Sequence, residues 1–171
     1  MSDDRFRLLD TVVTTALAHA LGELPNEACG LVSGRGGIGR TFHPARNAVR
    51  SPYRFDLHPE DLVRLLHEIE AAGDELVATF HSHPVTDAVP SAADRREARY
   101  PVPQLIATLA GGIGEAPLRA WSVEAGESRE LRLEVSSGPP QQSVASLETM
   151  RGAMGSSAMS TAHEPSSFPD R

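Results

Sequence analysis

Residues 75–94 read ELVATFHSHPVTDAVPSAAD. The first nine are largely apolar, which predicts a central strand covered on both faces. Side chains at i and i+2 of a strand share a face. His81 and His83 therefore project side by side from its end. Pro84 stops the strand by removing a backbone donor. Six residues, Val85 to Pro90, lead to Ser91, and Asp94 follows in the first turn of the next helix.

Two chemistries fit this ending. S-x-x-D before a helix is a capping box, worth roughly 1 kcal/mol. A lone histidine on a strand is ordinarily a hydrogen-bonded side chain. Together, however, two imidazoles on one strand face and a carboxylate at a nearby helix start make three N or O donors. A catalytic zinc site uses that number and keeps its fourth position open. The cap and the ligand are compatible roles for Asp94.

Outward from this stretch the pattern alternates between periods. Residues 5–21 carry Leu8, Leu9, Val12, Val13, Ala16, Leu17, Ala20 and Leu21 at helical spacing, closed by Gly22 and Pro25. ACGLVSG (28–34) reads as a buried strand, with RTFHPARNAV (40–49) as its hairpin partner through the glycine-rich GRGGIG (34–39). A second amphipathic helix spans 59–72, with Leu62, Leu65, Leu66 and Ile69 on one face. SAADRREARY (91–100) is a short helix, and QLIATLA (104–110), LRAWSVE (118–124) and RELRLEVSS (129–137) are further strands. The expected class is α/β in the α+β sense: a single mixed, mostly antiparallel sheet flanked by helices. Residues 1–135 form the domain. Residues 136–171 are rich in Ser, Pro and Gly, and are expected to be a disordered tail.

Composition narrows the function. The chain has 171 residues, 40% of them hydrophobic, with a net charge of −7, which disfavours a nucleic-acid backbone as partner. A single cysteine, Cys29, excludes an internal disulfide and a multi-cysteine zinc site. The acidic N-terminus has no signal-like apolar run, and no stretch is long and apolar enough to span a membrane. A cytoplasmic location is expected.

The pattern H-S-H-P, then Ser91 and Asp94, resembles the JAMM (MPN-plus) metallopeptidase motif. The upstream glutamate of that motif is matched by Glu27 in PNEACGLVSG (25–34). Residues 47–84, NAVRSPYRFDLHPEDLVRLLHEIEAAGDELVATFHSHP, are similar to the compact bacterial members. The resemblance covers nearly all of residues 5–135 and implies a cytidine-deaminase-like MPN/JAMM fold. It implies one zinc ion per chain, held by His81, His83 and Asp94, with a water in the fourth position. Glu27 would be the general acid–base, and Ser91 would orient the scissile carbonyl and stabilise the oxyanion. The implied partner is a small ubiquitin-like sulfur-carrier protein ending in Gly-Gly, from which a terminal residue or short extension is removed. Two other readings share the fold: an isopeptidase that frees modifiers from target lysines, and a non-catalytic scaffold. Such scaffolds usually lose a ligand, and here none is lost.

Other features carry less. LLHEIEA (65–71) begins like a zinc-binding HExxH helix, but Ala71 stands at the second histidine position. GRGGIG lacks the Lys-Ser/Thr of a phosphate loop. Cys29 reads as a small buried residue and Trp121 as core or sheet face. Ser82 points away from the two histidines, and His19, His43, His58 and His163 have no ligating spacing.

Overall fold

The computed structural model describes residues 4–111 and 118–138. The expected tail lies outside them from residue 139 onward.

The chain begins with a strand, β1 (Arg5–Leu9), followed directly by α1 (Asp10–Gly22). This corrects the reading of residues 5–21 as one helix. Phe6 and Leu8 are buried while Arg5 and Arg7 point outward, a two-residue period. The remaining order is β2 (Cys29–Arg35), β3 (Ile38–Ala45), α2 (Pro59–Ala71), β4 (Glu75–His83), α3 (Ala92–Arg96), β5 (Gln104–Thr108), β6 (Leu118–Glu124) and β7 (Glu127–Ser136). The third helix ends four residues earlier than SAADRREARY suggests.

The strands run β1-β3-β2-β4-β5-β6-β7 and close on themselves, because β1 pairs in parallel with both β3 and β7. The β2/β3, β2/β4, β5/β6 and β6/β7 pairings are antiparallel, and β4/β5 is parallel. The expected mixed sheet is thus present, and β1 turns it from an open sheet into a closed one. Between β2 and β3, Gly36 and Gly37 adopt φ of 59° and 71°. A two-residue hairpin needs positive φ at both positions, which glycine takes without strain.

The central strands separate two cores. On one side, Val12, Ala16 and Ala20 of α1 meet Val32, Phe80 and Leu105. On the other, Leu65 and Ile69 of α2 meet Cys29, Leu31 and Ala45. His81 shares the second side, since Phe55, which packs against that core, also covers its ring. Where β4 ends and β2 begins, both faces are covered, so polar groups there are sealed by the same packing that makes the fold. Among the described residues, no helix is long and apolar enough to cross a membrane.

Candidate metal centre

His81 and His83 leave the end of β4 on one face, and their Nε2 atoms stand 3.2 Å apart. Asp94 Oδ2 lies 3.5 Å from each of them. A tetrahedral ion with bonds near 2.0–2.1 Å needs ligand atoms about 3.3 Å from one another. The triangle has that size and the N/N/O donor set of a catalytic metal site, so the residues present fit a metal ion. Both rings are buried, and the Asp94 side chain is nearly so.

The cap and the candidate metal position coincide. Ser91 Oγ accepts from the Asp94 amide at 3.1 Å, and Asp94 Oδ2 accepts from the Ser91 amide at 2.7 Å. The oxygen that completes the capping box is the same one that faces the imidazoles. Burial alone would raise the Asp94 pKa, but hydrogen bonds to His81 and His83 outweigh it and hold this carboxyl well below the usual carboxylate range. His81 is pushed down by burial, more than Asp94 can offset. Burial also lowers His83, but its bonds to Asp94 and to the Asp87 carbonyl reverse the sign and raise it.

Glu27 is buried at the entry to β2. Cys29 pairs with His81, and the Ser82 amide donates to Ala28 O, so the antiparallel register carries Glu27 opposite His83. Burial raises its pKa to about 7, against the pull of His83 and with the push of Asp94. Its backbone is fixed on both sides. The Glu27 amide donates to Ser51 O at 2.8 Å, and Glu27 O accepts from Asn47 Nδ2 at 3.0 Å. Ser82 lies on the far face, where its hydroxyl accepts from the Ala28 amide and ties β4 to the Glu27 segment.

Two loops frame the centre through residues to which the sequence assigns no role at the site. In the first, the buried Asn47 side chain also donates to Arg54 O and accepts from the amides of Val49 and Asp56. Arg54 reaches on to Glu97, just past α3. In the second, Asp87 O meets His83 Nδ1 at 2.7 Å. That loop is pinned where Trp121 Nε1 donates to Ala88 O and Thr108 Oγ1 to Thr86 O. Trp121 is a buried sheet residue, as expected, and also an anchor. The one sequence signal for these roles is chemical: Asn47 is a small amide next to a turn, and Trp121 is a large ring with one polar atom. A cavity of about 80 Å³ opens beside Asp94 and is lined in part by Phe55, Leu57, Leu62, Tyr100 and Gln104.

Among the described residues the other histidines stand away from the centre, and His163 lies outside those residues. His19 Nε2 meets Cys29 O, His43 meets Ser33 Oγ, His58 sits beside Arg46, and His67 is exposed. Cys29 is buried and its thiol pKa is pushed up to about 12, mainly by burial, so it is no nucleophile at neutral pH.

A family described as prokaryotic homologs of the JAB domain matches residues 10–124. The desampylase of Haloferax volcanii is 35% identical over 130 residues, 74% of this chain and 90% of that protein. The CysO-cysteine peptidase of Mycobacterium tuberculosis is 35% identical over 92 residues, 53% of this chain and 63% of that protein. The solution structure of a Desulfitobacterium hafniense protein superposes with a TM-score of 0.69 at 28% identity, covering 80% of this chain and 97% of that one. The chain belongs to the prokaryotic JAB family, the family of the JAMM-type proteins that its H-S-H-P segment resembles.

Proposed function

We propose that the chain is a cytoplasmic zinc metallopeptidase that hydrolyses the bond after the C-terminal Gly-Gly of a small ubiquitin-like sulfur carrier, removing a terminal residue or short extension. The observation that carries this reading is the triangle of His81 Nε2, His83 Nε2 and Asp94 Oδ2 beside the buried Glu27. The desampylase and the CysO-cysteine peptidase support it as relatives.

A zinc ion held by these three residues would supply Lewis acidity and a bound water with a pKa near 7. The protein's own groups do the rest. Burial raises the Glu27 carboxyl to about 7 in the metal-free protein, which favours taking and returning a proton near neutral pH. It would accept one from the attacking water and deliver it to the departing amine. The Ser91 oxygen accepts from the Asp94 amide, so its hydroxyl hydrogen is left to donate to the scissile carbonyl oxygen as charge develops there. Two glycines bring no side chain against the walls formed by the framing loops. The cavity beside Asp94 offers room for a side chain from a flanking residue.

The test is to incubate the zinc-loaded protein with a Gly-Gly carrier extended by a few residues and follow its mass. The expected result is loss of the extension by the wild type and its retention with Glu27→Gln. Trimming that continues unchanged in Glu27→Gln would overturn the assignment of the base. A second reading, release of the carrier from target lysines, shares every residue and is favoured by the breadth of the desampylase match. Competition between an extended carrier and a lysine-linked conjugate decides between them. A folded protein that takes up no metal would favour the scaffold.

A further inference from the structure

The two imidazoles of the centre are held in different ways. A metal-binding histidine ordinarily donates its second ring nitrogen to a carbonyl, carboxylate or water, which fixes the tautomer and the ring plane. His83 follows that rule, with Nδ1 at 2.7 Å from Asp87 O. For His81, Nδ1 is buried and has no hydrogen-bond partner among the described residues. What His81 has instead is a flat aromatic neighbour. The Phe55 ring stacks on it with centroids 4.5 Å apart and planes 20° from parallel.

Phe55 is itself held. It lies on the loop between β3 and α2, where Asn47 bonds to its chain neighbours Arg54 and Asp56. An isolated bridge pairs Asn47 with Leu57, and Arg54 reaches Glu97. The ring therefore has firm backbone support on both sides, and it packs against the core beneath α2.

We infer that Phe55 is a positioning residue for His81, its stacked ring doing the orienting work that a hydrogen bond does for His83. A ring plate opposes tilting of the imidazole out of its plane, and so keeps His81 Nε2 aimed at the point shared with His83 and Asp94. The inference rests on the metal reading of the triad.

The test measures metal affinity and ligand geometry. Zinc affinity is determined by competition with a chromophoric chelator for wild type, Phe55→Leu, Phe55→Met and Phe55→Tyr, and the visible d–d spectrum is recorded with cobalt(II). Phe55→Leu and Phe55→Met remove the flat ring and keep apolar bulk, and each is expected to weaken binding roughly 10-fold or more and to change the cobalt band intensities. Phe55→Tyr keeps the ring and is expected to restore affinity to within about 3-fold and to return the wild-type spectrum. A residue needed only for folding would lower the melting temperature of the metal-free protein without altering the spectrum of the folded fraction. Wild-type affinity and spectrum in a folded Phe55→Leu or Phe55→Met would overturn the inference and leave the metal reading standing. A wild type that binds neither ion would overturn both.

Discussion

The two ends of β4 treat charge in opposite ways. At its start, Asp74 is paired with Arg35 at 2.6 Å, but Arg35 is 59% exposed, and the Glu75 carboxylate accepts from the Gly37 amide at the surface. At its end, His81, His83 and Glu27 are all buried, with Asp94 packed against the two rings. One strand thus carries a solvated end, where pairing adds little, and a sealed end, where each polar group depends on its partners. At the sealed end the desolvation of four titratable groups is offset by the bonds that hold Asp94 ionised and by the shifts that keep Glu27 and His81 neutral, and a bound cation would add to this.

Removing one donor from the sealed end should have the largest effect. Asp94→Asn retains a side-chain oxygen for the Ser91 amide while losing the ligand charge. Metal affinity is expected to fall by more than about 100-fold and activity to disappear. The cap survives, but the carboxylate's interaction with the two imidazoles is lost, so the metal-free protein should also lose about 1–3 kcal/mol. Calorimetric titration with zinc and thermal unfolding of the metal-free form check the two halves. Unchanged metal binding would break the contrast between the ends.

Glu27→Gln comes next and has two signatures. Turnover is expected to fall about 10²- to 10⁴-fold with metal still bound. The second signature is in stability. The Glu27 pKa is raised from 4.5 to about 7, so between those values the unfolded chain has released a proton that the native chain still holds. The native state binds more protons, and stability must fall as pH rises through that window and then level off. Glutamine has no such term. The metal-free variant should therefore be more stable than the metal-free wild type at pH 8, by about 1–3 kcal/mol, and should show no advantage below pH 4.5. Denaturant unfolding at pH 4.5 and 8 measures the difference.

The sealed end also marks what local pattern can and cannot reveal. His81, His83, Ser91 and Asp94 were readable because each depends on neighbours a few positions away: the two-residue period of a strand and the three-residue reach of a cap. Glu27 is different. Its burial comes from the crossing of β2 over the end of β4, and the residues alone describe only a carboxylate before a strand. Only the likeness of its segment to a family motif brought it forward. Asn47 and Trp121 act across 20 and 33 positions, on Glu27 and Ala88, and no local period encodes such reach. The residues of β1 read as helix because their apolar positions run into those of α1 at spacings a helix tolerates. Its strand identity comes from partners on β3 and β7, far away in the chain.

Trp121→Phe probes how the sealed end is held from outside. It removes the donor to Ala88 O at 2.9 Å and keeps most of the ring. Ala88 is 1% exposed, so its carbonyl is left without water, at a cost of about 1–3 kcal/mol. The Asp87 carbonyl next to it orients His83, and zinc affinity should drop several-fold as the loop relaxes. The Thr108 bond to Thr86 O limits the loss. A melting curve and a chelator competition check these two outcomes.

The smallest effect belongs to the solvated end. Arg35→Ala removes the ion pair with Asp74 and a 2.9 Å bond to Ala72 O at the end of α2. Water replaces both, and an exposed pair is worth roughly 0.5–1 kcal/mol. The loss should shrink in 1 M salt, where the Debye length is about 3 Å. Zinc affinity should not change, because the covered length of β4 separates this pair from His81, His83 and Asp94. A shift in metal affinity comparable to that of Trp121→Phe would mean that charge at the open end is transmitted along β4 to the closed one. The two ends would then be one coupled system.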